Sequence, residues 1–275
     1  MSFIQAVILG IVQGLTEFLP VSSSGHLRIV PAVAGWPDPG AAFTAVIQIG
    51  TMAAVLIYFR HELIAVARDW TRAVLRLGEP RDRKNVRLGW YLALGTLPIV
   101  FFGFVFKDQI ETVARDLYLI GTTLVVLGLV LGLSDRLAKH KRDMDQITPR
   151  DAAIIGFGQA FALVPGVSRS GSTLTAGLAL GLKRAEAARF SFLLSVPAVV
   201  LSGLFELRKA FDGEWSAGIG AGDVIVATIV SFVVGYAAIA FLLRWLGSHN
   251  TAIFVIYRVA LGVVVLALAA SGAIS

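Results

Sequence analysis

Apolar residues in this chain run in long blocks separated by short polar stretches, and two of the blocks are broken from within. A helix that crosses a bilayer needs about 20 mainly apolar residues. Six segments have that character: Ala41–Arg60, Leu88–Phe106, Leu117–Ser134, Phe190–Leu207, Asp223–Trp245 and Thr251–Ala270. Two further apolar regions stop early, Phe3–Leu19 at Pro20 and Ala152–Val164 at Pro165. Proline removes a backbone donor and disfavours helix in the residue before it, so both runs end short of a crossing. Each is followed by another short apolar piece, Leu27–Val33 and Thr173–Leu182. The pattern predicts an all-α polytopic membrane protein with six transmembrane helices plus two re-entrant helical hairpins. Irregular backbone survives at membrane depth only where protein or water covers it, so both hairpin turns should line a cavity.

The two broken regions are alike. Gln13-Gly-Leu-Thr-Glu17-Phe-Leu-Pro20-Val-Ser-Ser-Ser-Gly-His26 occupies the same place in the first half as Gln159-Ala-Phe-Ala-Leu-Val-Pro165-Gly-Val-Ser168-Arg169-Ser170-Gly-Ser-Thr173 in the second. Beyond the turns, Ala41-Ala-Phe43 precedes one span much as Ala187-Ala-Arg-Phe190 precedes another. Polar breaks at corresponding points of two halves point to a binding site made from discontinuous helices. Residues 1–275 therefore form a single membrane domain of inverted-topology repeats, about 1–135 and 151–275.

Basic residues set the orientation, because they collect in cytoplasmic loops. Arg68, Arg72, Arg76, Arg81, Arg83 and Lys84 fall in the loop Arg60–Arg87, and Lys139, Lys141 and Arg142 in the loop Arg136–Arg150. Lys107–Asp116, with no excess of basic residues, then lies outside. The first hairpin enters from the outside and the second from the cytoplasm. No basic region precedes the apolar Phe3–Leu15 run, so no cleavable signal is expected.

Composition adds exclusions. The chain is 56% hydrophobic and 15% charged, with a mean hydropathy of +0.78; about 25% charged is usual for soluble domains. There is no cysteine, which excludes disulfides, thiol redox chemistry and thiolate metal sites. The net charge of +6 belongs to the cytoplasmic loops, so no nucleic acid partner is expected. No zinc-type ligand spacing and no Walker loop occur.

What remains is chemistry in the two turns. Gln13 and Glu17, four apart, share a helix face beside the first turn. A carboxylate there is either an interfacial group or functional, and ionisable groups inside membranes are functional by default. His26 is the one histidine in an apolar setting next to a turn; with Glu17 as its partner it suits proton transfer near neutral pH. Ser22, Ser23 and Ser24 suit helix capping, a nucleophile or phosphate donors, and spacing does not separate these roles. In the second turn Arg169 lies between Ser168 and Ser170, and Thr173 follows at a helix start. A guanidinium, hydroxyls and free N–H groups at a helix N-terminus make an anion site, with phosphate the usual guest. Arg258, well inside the last span, calls for an anionic partner. Lys183, Arg184 and Arg189 read as interface anchors. A divalent cation, Mg or Ca, is expected to be shared between Glu17 and substrate phosphates.

These motifs resemble the bacitracin-resistance family of membrane undecaprenyl-diphosphate phosphatases. The first family signature is matched by Gln13–Glu17 and continues through Pro20 to His26; the second, Pro-Gly-x-Ser-Arg-Ser-x-x-Thr, is matched by Pro165–Thr173. Gln48 and Arg258 fall within the similarity. Many members carry a glutamate where Gln13 stands, which leaves Glu17 as the metal ligand. The resemblance implies removal of the terminal phosphate of undecaprenyl diphosphate at the outer face of the bacterial plasma membrane, recycling the lipid carrier for peptidoglycan. It implies Glu17, Ser23, His26 and Arg169 as catalytic residues. Gln13, Ser22, Ser24, Gln48, Ser168, Ser170, Thr173 and Arg258 would contact substrate. Partners are a polyprenyl diphosphate lipid and membrane lipids, and a homodimer is the assembly allowed for. A lipid-phosphate transporter or flippase is the competing reading. The other large group of membrane lipid phosphatases needs a second histidine soon after its Ser-Arg pair, and none follows Arg169 before His249.

Overall fold

The computed structural model describes residues 1–106, 116–211 and 219–274. The loop Lys107–Asp116 lies, apart from Asp116, outside the described residues. In chain order the helices are α1 (Phe3–Phe18), α2 (Ser23–Ala34), α3 (Gly40–Tyr58), α4 (Arg60–Leu75), α5 (Arg83–Val105) and α6 (Leu117–Leu137). They continue as α7 (Pro149–Ala160), α8 (Arg169–Ala179), α9 (Arg184–Phe211), α10 (Ala221–Leu246) and α11 (Ala252–Ala270). No strand occurs among the described residues.

Four helices, α5, α6, α10 and α11, are long and apolar enough to cross a membrane, and α3 with α4 makes up to five if that bent pair is one span. Six were expected. The sixth expected span lies within α9, a continuous helix of 28 residues that opens on Arg184, Glu186 and Arg189 and contains Pro197. The chain is an all-α membrane protein.

One expected loop is a helix. The spacing of charges over Arg60–Arg87 suggested a cytoplasmic loop, yet α4 fills Arg60–Leu75 and turns 77° from the axis of α3. It is amphipathic: Val66 and Asp69 are buried, Glu62 lies in its first turn and Arg72 in its last, as the helix dipole favours. Charges scattered on one face do not break a helix.

Of the four short helices, α1 and α7 end ahead of Pro20 and Pro165, whereas α2 carries Pro31 inside it and closes on Gly35, and α8 closes at Leu180. At 1.5 Å per residue α1 spans about 24 Å and α2, α7 and α8 about 17–18 Å, all less than the ~30 Å hydrocarbon core. Leu19, before Pro20, leaves the helix at φ −63°, ψ 140°. α1 packs along α10 and α7 along α5; α3 packs on α10 and α9 on α5; α6 pairs with α11. Where α3 meets α9, Phe18, Phe59 and Phe192 fill the core, with Phe18 and Phe192 edge to face at 5.4 Å. The expected anchors are all paired: Lys183 with Asp143, Arg184 with Asp135 and Arg189 with Glu62.

Candidate active site

The two turns share an unusual backbone. Ser22 (φ 77°, ψ 98°) caps α2 and Ser168 (φ 72°, ψ 116°) caps α8, both at positive φ, which costs a non-glycine residue about 1–3 kcal/mol. Each hydroxyl accepts from the N–H three residues on, Gly25 at 3.4 Å and Gly171 at 3.1 Å. Each also faces a second serine, Ser24 at 3.4 Å and Ser170 at 3.2 Å. Gly166 is required by its φ of 81° and by crowding, since a Cβ there would lie 2.1 Å from the Thr123 hydroxyl. With Ser22 matched to Ser168, the next residues, Ser23 and Arg169, are also equivalents, each the first residue of its helix.

Both reach Glu17. The Ser23 hydroxyl donates to Glu17 Oε2 at 2.7 Å, and Arg169 Nη2 donates to Glu17 Oε1. Gln48 Nε2 donates to Oε1 and Gln13 Nε2 to Oε2, each at 3.1 Å. The carboxylate is 7% exposed and accepts from four side chains on four helices, α1, α2, α3 and α8. Thr51 accepts from Gln13 at 3.4 Å and joins this cluster; no sequence signal singled it out. The turns are further tied by the Ser170 hydroxyl, which donates to Leu19 C=O at 3.1 Å.

Several expected roles change. His26 does not pair with Glu17. Its Nδ1 lies 2.7 Å from Ser22 C=O and its Nε2 2.6 Å from the Tyr257 hydroxyl, because on α2 the imidazole faces α11 rather than α1. Arg258 finds carbonyls in place of the anion expected for it. Fully buried, it donates through Nη1 to Pro20 C=O and through Nη2 to the C=O of Thr123, Gly166 and Val167, at 3.0–3.4 Å. The oxygens of Pro20, Gly166 and Val167 are bare because both turns leave helical geometry, and one guanidinium reaches both turns at once while also touching α6 at Thr123. Thr173 is likewise withdrawn from substrate: fully buried, its hydroxyl donates to Arg169 C=O at 2.7 Å and contacts Ser191 at 2.5 Å. Ser22 and Ser168 are occupied as caps, and Ser170 by Leu19, whereas Ser24 is exposed. Gln159, the counterpart of Gln13, is fully buried with no partner for either amide atom.

A crevice of about 10 Å³ between α3 and α9 reaches Glu17 and Arg169 past Thr51, Met52, Ser195 and Val196. That is room for roughly one water, so a diphosphate has to displace the ion pair or part the helices. A larger cavity of about 420 Å³ lies at the α4–α5 end, lined by Glu62, Lys84, Asp145 and Arg189 among others. Two ion pairs close across it, Lys84 with Asp145 and Arg189 with Glu62, and its lining holds no serine and no histidine. Glu17 and Arg169 line the small crevice and not the large cavity.

Residues 6–264 match the family described as bacitracin resistance protein BacA. The chain belongs to that family. Among BacA relatives, an undecaprenyl-diphosphatase of a Nocardioides species is 54% identical, covering 99% of this chain and 98% of its own length. The undecaprenyl-diphosphatase of Chlorobium chlorochromatii is 50% identical over 100% of the chain and 99% of its own length. Undecaprenyl-diphosphatase 3 of Frankia alni is 50% identical over 100% and 97%.

Proposed function

We propose a division of labour within the site for the activity that this family and these full-length relatives carry. The chain is an undecaprenyl-diphosphatase: it hydrolyses undecaprenyl diphosphate to undecaprenyl phosphate and inorganic phosphate, and so recycles the lipid carrier. The observation that carries the mechanism is one carboxylate, Glu17, holding the Ser23 hydroxyl on one oxygen and the Arg169 guanidinium on the other.

Cleaving a phosphoanhydride needs an oxygen nucleophile in line with the leaving group and stabilisation of charge on the transferred phosphoryl. Ser23 attacks the terminal phosphorus as its bond to the bridging oxygen breaks, and Glu17 Oε2, already its acceptor, takes the proton; water then cleaves the phosphoserine, which releases inorganic phosphate and restores the hydroxyl. The incoming phosphate competes with Glu17 for Arg169, so the planar fork passes from the carboxylate to the phosphoryl oxygens. His26, one helical turn past Ser23, keeps its Nδ1 hydrogen on Ser22 C=O and serves through Nε2 as the base for the water that cleaves the phosphoserine. Gln13 and Gln48 hold Glu17, and Ser24 is the exposed hydroxyl left for substrate oxygens.

A divalent cation belongs to this reading. Gln13 Oε1 is buried without a hydrogen-bond partner beside Glu17, and both are hard oxygen donors of the kind Mg²⁺ and Ca²⁺ take. Among the described residues no cluster of three His, Cys, Asp or Glu exists, so Glu17 and Gln13 would hold the ion only jointly with substrate phosphates. When bound it neutralises phosphate charge.

The paired turns and the exchanged packing of α1 on α10 and α7 on α5 support inverted repeats, about 1–135 and 151–275. With the basic loops cytoplasmic, the site opens to the extracytoplasmic side. Every residue in it comes from one chain, so a homodimer is not needed to complete it. The test is phosphate release from undecaprenyl diphosphate by purified protein in detergent, with and without chelator. No release would overturn the phosphatase, and chelator-insensitive release would remove the cation.

A further inference from the structure

His26 has two ring nitrogens, and both are engaged away from Ser23 and Glu17. Nδ1 lies 2.7 Å from the Ser22 carbonyl, which only accepts, so Nδ1 carries the hydrogen. In the neutral ring Nε2 then holds the lone pair, and the Tyr257 hydroxyl 2.6 Å away donates to it. The two rings are nearly parallel, 8° apart with centroids at 5.6 Å. Tyr257 is next in sequence to Arg258, and successive helix residues point about 100° apart. Arg258 accordingly aims into the turns, fully buried, while Tyr257 is 45% exposed. On the same helix Ile253 and Ile256 are exposed as well, so Tyr257 stands where the site meets the membrane-facing surface.

We propose that Tyr257 is a positioning residue for the hydrolysis: its hydroxyl fixes the tautomer and orientation of His26 on the lipid-facing side of the first turn, where the prenyl phosphate departs. The Ser22 carbonyl alone pins one nitrogen and leaves the ring free to pivot about that contact. A second anchor, from a residue 231 positions away, removes the pivot. A phenol suits the place, since it stays protonated through the neutral range and so keeps a hydrogen to donate to Nε2. Supporting groups of this kind change activity by roughly 10- to 100-fold when removed. The proposal rests on His26 taking part in the reaction, as read above.

The experiment compares Tyr257→Phe, His26→Ala and the double variant in detergent. It reads kcat and KM for undecaprenyl diphosphate, and the rate at which diethyl pyrocarbonate modifies His26, followed by mass spectrometry. Tyr257→Phe should melt with wild type, lower kcat roughly 10- to 100-fold at little-changed KM, and expose His26 Nε2 to faster modification. The double variant should be no slower than His26→Ala. Wild-type kcat and modification rate in Tyr257→Phe, beside an inactive His26→Ala, overturn the positioning role alone. Multiplicative losses in the double variant overturn it too. An active His26→Ala overturns the underlying role of His26.

Discussion

At the scale of single residues, two arginines differ in the kind of partner they meet. Arg169 meets a carboxylate that a phosphate can replace, whereas Arg258 meets four backbone carbonyls that nothing replaces. Arg169→Lys keeps the charge but loses the planar fork; it should lower kcat roughly 10²–10³-fold with an unchanged melting temperature. Arg258→Lys has one ammonium for carbonyls in two turns and on α6, and each orphaned carbonyl costs about 1–3 kcal/mol. It should melt clearly lower than wild type, read by thermal denaturation in detergent. Equal melting curves for the two variants would sink this distinction. Ser23→Ala and Glu17→Ala should both fall near background, and the double should be little worse, because the two act as one unit. Substantial turnover in Ser23→Ala would assign the attack to water.

At the scale of elements, the packing of α3 against α10 depends on Gly50. A Cβ there would sit 2.1 Å from the Ser231 hydroxyl and 2.2 Å from Thr228 C=O, and backbone does not yield. Gly50→Ala should destabilise by about 1–3 kcal/mol, seen as a lower melting temperature. The α4–α5 pair is held by Asp69, fully buried, which accepts from Arg68 Nε at 3.1 Å, Asn85 Nδ2 at 2.7 Å and Arg81 N–H at 3.3 Å. The bonds from Arg68 and then Asn85 hold its carboxyl well below the usual carboxylate range. A depressed folded pKa gives stability that is present above the unfolded value near 4 and lost as pH falls through the folded one. Asp69→Asn should therefore melt below wild type at pH 7, with the gap closing only in strong acid. A gap that is constant with pH would remove the charge from the explanation.

At the scale of the whole molecule, the question is which side the first turn opens to. α2 ends at Ala34, which is exposed, and Lys141 is exposed between α6 and α7. If the basic loops are cytoplasmic, Ala34→Cys should label from outside in intact cells and Lys141→Cys should not. The reverse pattern would place the site on the cytoplasmic side. The hairpins were legible because a proline at the end of a short apolar run is a local signal, and the structure ends α1 and α7 near Pro20 and Pro165. The helix at Arg60–Leu75 was not, because its burial of Val66 and Asp69 depends on what it packs against.

The sequence alone determined the helical class, the bilayer, the two broken hairpins and the residue types gathered in their turns. Each follows from apolar run length, proline chemistry or the matched motifs, all readable within a few residues. Only the tertiary structure decided which groups meet. Glu17 and Arg169 are 152 residues apart, His26 and Tyr257 are 231 apart, and Arg258 and the Pro20 carbonyl are 238 apart. No local periodicity encodes such pairings; they depend on how the helices pack and on where each turn leaves its carbonyls bare. Packing therefore gave Glu17 to Ser23 and Arg169, gave His26 to Tyr257, and turned Arg258 from an expected phosphate ligand into the clamp between the turns.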